Sequence, residues 1–106
     1  MLAAALLSSA GPAQQSSLHD DEVVVMGRLD NQRDDGTEPS LWDSIFIARL
    51  HVTQVLRGRI PSKVLTIKYI AHSERSEDQE FHFHLRRKRD GTYLACGDGG
   101  VGFVCP

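Results

Sequence analysis

SIFIARLHVTQVLRG, residues 44–58, is the stretch that decides the fold, because its apolar side chains recur at every second position. The apolar residues that share one side of this alternation are Phe46, Ala48, Leu50, Val52 and Leu56. The other side carries the polar residues Arg49, His51 and Thr53. Successive side chains of a β-strand point to opposite faces of the sheet. The stretch therefore predicts a long strand with one buried face and one wetter face.

Further strand-like segments flank this stretch. They lie at residues 23–29, 64–70, 80–87, 92–96 and 101–104. Gly27 interrupts the first of these segments, and a glycine inside a strand predicts a bulge or a bend. The tight connection at residues 59–62 predicts a hairpin, and the Asp90-Gly91 pair predicts another.

The segments number five or six, and none has a sustained helical period. A bent first strand and a hairpin after the second predict an all-β domain, namely a small, partly open barrel of the OB type. A small β-sandwich or a meander sheet is the alternative. In the barrel, Phe46, Leu50, Ile67 and Phe83 are predicted to share one core.

Residues 30–43, DNQRDDGTEPSLWD, are polar and rich in turn-forming residues, which predicts a surface loop between the first two strands. Trp42 lies at the end of this loop. We interpret it as a plug that closes one end of the core, because a single large aromatic side chain beside a strand is usually buried. An exposed contact residue is the alternative.

The first 17 residues differ from the rest in composition. An apolar run of leucine and alanine at residues 2–7 precedes small residues, SSAGPAQQSS. This pattern is typical of the end of a signal peptide, with cleavage after Ala10 or Ala13. Residues 1–17 are therefore predicted to be a leader, and residues 18–106 a single periplasmic or secreted domain. The chain has no run of about 18 apolar residues, which predicts no transmembrane segment.

The two cysteines, Cys96 and Cys105, flank a glycine-rich segment. In an oxidising compartment they are predicted to form a disulfide, because the glycines let the chain turn back on itself. Closing this loop would stabilise the fold by about 2–3 kcal/mol in the chain-entropy model. Two reduced thiols are the alternative.

Two segments, DEVVVMGRL and HVTQVLRGRIPSKVLTIKY, resemble the paired motifs of a known family. Its members are bacterial exported proteins similar to the amino-terminal domain of tissue inhibitors of metalloproteinases, together with netrin-like modules. They open with a strand like ADVVVxGRV and continue with VxxVLKGxxPxxVxV. Residues 23–29 match the first motif and residues 52–67 match the second. The resemblance implies an OB-like barrel.

The resemblance does not extend to the inhibitory centre. In the inhibitor family, an amino-terminal cysteine chelates the zinc of the protease through its α-amine and carbonyl. This chain has no cysteine before Cys96, and a mature start near Gln14 or Gln15 supplies no such chelator. Protease inhibition by that mechanism is therefore the least favoured function.

Three histidines are the candidate metal ligands. His82 and His84 lie two residues apart on one strand, so both imidazoles point to the same side. A third ligand for Zn or Cu could come from His51, on the polar face of the second strand, or from His72. The alternative is that these histidines are ordinary half-exposed polar residues, in which case no cofactor is needed.

Arg86, Arg87, Lys88 and Arg89 form a basic run, which could follow a phosphate backbone. The net charge of −2 lacks the basic bias of a nucleic-acid-binding domain. The run is therefore interpreted as a solvated turn, available with Trp42 as a contact surface.

No pattern of catalytic residues emerges, since the sequence has neither a GxSxG nor an HExxH motif. The sequence thus predicts an exported, non-enzymatic binding module whose partner is another protein rather than nucleic acid. Metal binding through strand histidines is the alternative.

Overall fold

The computed structural model describes residues 20–97, which form five β-strands. The strands are β1 (Glu22–Asp34), β2 (Ser44–Arg57), β3 (Val64–Ala71), β4 (Phe81–Arg87) and β5 (Tyr93–Ala95). Within this range no helix has the length and apolarity needed to cross a membrane. The predicted leader, residues 1–17, and the predicted last strand, residues 101–104, lie outside the described residues.

The five strands close into a barrel with the order β1-β2-β3-β5-β4, in which β4 pairs back onto β1. The two predicted hairpins are confirmed, because β2 pairs antiparallel with β3 and β4 pairs antiparallel with β5. Of the five strand pairs that close the barrel, four are antiparallel and the short β3–β5 pair is parallel. The predicted all-β, OB-like barrel is confirmed. The prediction was a partly open barrel, whereas the observed barrel is closed.

The apolar faces of all five strands meet inside the barrel. Phe46, Leu50, Ile67 and Phe83 all belong to this core, as the alternation predicted. The aromatic rings of Phe46 and Tyr69 stack with their centroids 5.4 Å apart. Burial of this apolar surface is the main driving force for folding.

Gly27 lies at an irregularity of the β1–β2 ladder, where the register shifts between Met26 and Gly27. The predicted bulge is therefore confirmed. A Cβ atom added to Gly27 would lie 2.6 Å from the carbonyl oxygen of His51 and 2.8 Å from Cδ1 of Leu50. Only glycine lets β1 approach β2 this closely.

The end of β1 differs most from the sequence prediction. β1 continues through polar residues to Asp34, so that the connection to β2 covers only residues 35–43. Backbone pairing, as between Asp34 and Phe46, does not require apolar side chains. A further register shift in this half of β1, between Asp30 and Arg33, accommodates Asn31 with its positive φ of 56°.

Leu56 was predicted to point into the core, but 41% of its surface is exposed. β3 begins at Val64, which pairs with His51, so the last residues of β2 extend beyond β3. The β1–β2 register also shifts where Val24 pairs with Arg57 and Val25 pairs with Val55. These shifts take Leu56 out of the alternation that holds from Phe46 to Val52.

Candidate functional site

The strand directions place the four connections at two ends of the barrel. Residues 35–43 and 72–80 connect strands at one end, and residues 58–63 and 88–92 connect strands at the other. The last residue of the 72–80 connection, Glu80, extends along the barrel and accepts a hydrogen bond from Thr53 of β2. The first pair contains Asp35, Glu38, Asp43, Glu74, Glu77, Asp78 and Glu80 with a single arginine, Arg75. The second pair contains Arg59, Lys63, Lys88 and Arg89 with a single acid, Asp90. We call these the acidic end and the basic end.

Two large apolar residues project from the acidic end. Leu41 is 89% exposed and Trp42 is 75% exposed. The interpretation of Trp42 as a plug of the core is therefore wrong, and the alternative of an exposed residue is correct. We call Leu41 and Trp42 the apolar tip.

The core is already covered at this end by other side chains, which is why Trp42 is not needed there. The guanidinium of Arg75 lies 5.7 Å from the ring centre of Tyr69 and 5.2 Å from that of Phe81. The hydroxyl of Tyr69 donates a hydrogen bond to Gln32. Burial of this phenol raises the pKa of Tyr69, so it remains a neutral hydrogen-bond donor.

The connection that carries the apolar tip is held by its own hydrogen bonds. Asp34 Oδ1 accepts from the backbone N–H of Gly36 at 2.7 Å. The Ser40 hydroxyl donates to Asp43 at 3.0 Å. His72, from the other connection at this end, has its Nδ1 2.7 Å from the carbonyl oxygen of Trp42. The tip is thus presented on an ordered loop.

Asp35 anchors the base of the same loop. The backbone N–H of Thr37 donates to its carboxylate at 2.8 Å, and this bond is the main reason that the pKa of Asp35 is lowered. Lys68 lies 3.4 Å from the other carboxylate oxygen. The folded loop therefore favours ionised Asp35. This contribution is present above the ordinary pKa of an aspartate and is lost as the pH falls through the lowered value.

The three predicted metal-binding histidines are not brought together. His51 Nε2 lies 2.8 Å from Asp30 Oδ2, and His82 is exposed beside Met26. Within residues 20–97, one group of three potential ligands is close enough together to hold a metal ion. This group contains His84 but neither His51 nor His82. Its members are Glu22, His84 and Cys96, whose ligand atoms lie within 4.8 Å of one another.

Of this group, only His84 was predicted as a ligand; Cys96 was assigned to a disulfide, and Glu22 was given no role. Its surface is 3% exposed, although it continues the acidic stretch that starts at Asp20. Its Oε2 lies 3.6 Å from His84 Nε2, which is an ion pair when the imidazole is protonated. The strand register creates this contact, because Val24 of β1 pairs with His84 of β4. Only the pairing of two distant segments could have revealed it.

The predicted contact surface is divided between the two ends of the barrel. Arg86 Nε lies 3.0 Å from Asp21 Oδ2, and Arg87, Lys88 and Arg89 are exposed at or near the basic end. Trp42 lies at the acidic end. The basic run and the tryptophan therefore cannot contact one small ligand together.

A groove beside the basic end was missed by sequence reasoning. It has a volume of about 400 Å³ and is lined by Val52 and Val55 of β2 and by Ile60, Pro61 and Lys63. The groove exists because β2 extends past the start of β3 and leaves space beside the connection. The mismatch between strand lengths could not be read from alternation alone.

Comparisons of this chain with protein-family models, with curated proteins and with solved structures gave no match. The resemblance to the tissue-inhibitor and netrin-like domains therefore stays a prediction.

Proposed function

We propose that this chain is an exported, non-enzymatic module that binds another protein through the apolar tip, Leu41 and Trp42. The observation that carries the proposal is the exposure of two adjacent large apolar side chains on a loop fixed by hydrogen bonds. Tryptophan is among the residues that dominate the binding energy of protein interfaces. Transferring both side chains from water into a partner would supply the driving force.

The order of the loop supports this role. Binding costs less free energy when the contact residues are already held in position. The bonds from Ser40 to Asp43 and from His72 to the Trp42 carbonyl restrict the chain on both sides of the indole. A loop that served only as a connection would gain nothing from exposing Leu41 and Trp42.

The charge around the tip favours a protein over a phosphate-rich partner. Residues 34–43 contain Asp34, Asp35, Glu38 and Asp43 and no lysine or arginine. These carboxylates repel nucleic acid and anionic lipid. A protein surface with an apolar pocket and basic residues at its rim fits the tip best.

Photo-crosslinking in the organism that makes the protein tests this proposal. A photoreactive phenylalanine analogue replaces Trp42 in one variant, and in the control it replaces Thr66, an exposed residue in the middle of β3. Irradiation of the Trp42 variant is expected to give a discrete protein adduct that the Thr66 variant does not give. Equal adducts from both positions, or none from either, would overturn the proposal.

Metal binding is the second candidate function, and the group of Glu22, His84 and Cys96 is the observation that favours it. His84 Nε2 is buried and makes no hydrogen bond within residues 20–97. Zinc is bound by thiolate, imidazole and carboxylate, usually with four ligands in a structural site. Ligation by the Cys96 sulfur requires a free thiolate, and no cysteine within residues 20–97 is free. The predicted Cys96–Cys105 disulfide would likewise exclude ligation. This conflict places metal binding second.

Zinc titration of the melting temperature checks this candidate, with and without a thiol reductant. A ligand of the native state stabilises it by about 2.7 kcal/mol at 100 times its dissociation constant, a shift of roughly 10 °C or more for a domain of this size. The shift is expected to vanish in His84→Ala and to persist in His82→Ala, because His82 is outside the group. An unchanged melting temperature in excess zinc eliminates the candidate.

Export and the disulfide form the remaining part of the proposal. Cys105 and the leader lie outside the described residues. Peptide mass spectrometry of the protein isolated under non-reducing conditions is expected to show Cys96 linked to Cys105. It is also expected to show an amino terminus after Ala10 or Ala13. Two alkylatable thiols would contradict the disulfide, and an intact amino terminus would contradict the cleavage.

A further inference from the structure

We propose that the partner of the apolar tip is a second copy of this chain, which receives Leu41 and Trp42 in the groove beside its basic end. This inference rests on the proposed function and names its partner. Repetition of the contact would join molecules head to tail, acidic end to basic end.

The groove has the chemistry that an apolar tip requires. Val52, Val55, Ile60 and Pro61 provide an apolar lining, and its volume is about 400 Å³. This volume falls within the range of roughly 300–1,000 Å³ that is typical of ligand pockets. Val55 lines the groove and is exposed, and its exposed chain neighbour Leu56 and the exposed Val64, which follows Lys63, are also large apolar residues. Contact with the tip would remove apolar surface of both molecules from water.

The charges of the two surfaces are opposite. No aspartate or glutamate occurs from Ser44 to Ser73, a segment that contains the whole β2–β3 hairpin. Arg57, Arg59 and Lys63 lie at the groove end of this segment, whereas Lys68 lies at the other end, against Asp35. Lys63 lines the groove, and Thr53 of the lining donates a hydrogen bond to Glu80, so the groove itself contains one base beside one acid. Glu38 and Asp43 flank the tip, where no lysine or arginine occurs between residues 34 and 43. Opposite potentials select this pairing over contact between two tips or two grooves.

One molecule cannot fill its own groove with its own tip. β2 connects the two sites, with Ser44 next to the tip and Gln54 in the groove. A strand rises about 3.3 Å per residue, so these sites lie on the order of 30 Å apart along β2. The contact must therefore form between molecules. It joins two different surfaces, so each dimer still offers one unused tip and one unused groove.

The chain contains its own reporter of this contact. Trp42 is the single tryptophan in the sequence. Its emission moves to shorter wavelength when the indole leaves water for an apolar groove. Because only one small loop enters the groove, the contact is small and is expected to be weak.

Two variants that are each defective at one surface give the decisive test. Trp42→Ala removes the indole from the tip and leaves the groove unchanged. Val55→Glu places a carboxylate in the groove and keeps the tip, at a residue exposed enough to accept a polar side chain without loss of folding. Circular dichroism and thermal melts of both variants establish that each is folded.

Wild-type protein is expected to show a sedimentation coefficient and a blue shift of Trp42 emission that both rise with concentration and fall with added salt. Each variant alone is expected to be monomeric. A mixture of the two is expected to form a dimer of one molecule of each and no larger species. In that mixture the only tryptophan belongs to Val55→Glu, so its blue shift on addition of Trp42→Ala reports the tip entering the intact groove.

Failure of the self-association is distinguishable from failure of the proposed function. A wild-type protein that is monomeric at every concentration, or a mixture that does not associate, would overturn the head-to-tail contact. Association that Trp42→Ala abolishes and Val55→Glu leaves intact would also overturn it, because the tip would then bind elsewhere. In each case a discrete adduct at Trp42 with a different protein would leave the binding role of the tip standing.

Discussion

Replacing Leu50 with aspartate is expected to leave the chain unfolded. Leu50 is 0% exposed and lies in the middle of β2, with its side chain packed against Gly27 of β1. Truncating a buried leucine costs about 2–5 kcal/mol, and burying an unpaired charge costs several kcal/mol more. A domain of this size has a net stability of about 5–15 kcal/mol, so the substitution removes most or all of it.

Far-ultraviolet circular dichroism and urea titration of Leu50→Asp measure this effect. Thr66→Asp is the matched control, since it adds the same charge at an exposed residue that pairs with Arg49. The control is expected to change the free energy of unfolding by at most about 0.5 kcal/mol. A cooperative unfolding transition for Leu50→Asp at the wild-type midpoint would mean that the buried face of β2 is wrongly assigned.

Gly27→Ala is expected to destabilise the barrel by about 3 kcal/mol, which lowers the melting temperature by more than about 10 °C. The added methyl group would lie 2.6 Å from a backbone oxygen of β2, which is fixed by strand pairing and cannot turn aside as a side chain can. β1 would have to move away from β2 at the position where the barrel bends. The cost is therefore steric rather than conformational.

Gly91→Ala separates these two causes. Gly91 has a φ of 91°, and a Cβ atom there would meet nothing within 4 Å. Its replacement costs only the conformational penalty of a left-handed residue, about 1 kcal/mol. Thermal melts of both variants compare the two effects, and equal losses would show that the close approach of Gly27 to His51 does not hold.

The architecture could be predicted because it depends on local patterns. Alternation from Phe46 to Val52 identified the buried face of β2, and Asp90-Gly91 identified the turn between β4 and β5. Gly27 marked the bulge. Each of these features is set by residues close in sequence, so a linear pattern contains the information needed.

The candidate sites could not be predicted in the same way, because they depend on which strands are neighbours. Glu22 and His84 meet only because β4 returns to β1 and closes the barrel. His82, the other leading candidate in the sequence, and His51, the possible third ligand, lie elsewhere on the outer surface. The groove depends on where β3 begins relative to the end of β2, and no periodicity encodes that difference.

Trp42 illustrates the same division. Its size favours burial, and its loop gave no contrary signal. Whether it is buried depends on which side chain covers the end of the core. Here the guanidinium of Arg75 covers it, lying over the rings of Tyr69 and Phe81. Trp42 is therefore left exposed to solvent.

By itself, the sequence determined that the chain forms strands and which faces of those strands are apolar. Only the tertiary structure decided that the barrel closes, that Glu22 lies against His84, and that an acidic apolar tip and a basic groove stand at opposite ends. The physical reason is that side-chain period and turn chemistry act over a few residues. Strand register, in contrast, is fixed by the packing of the whole core.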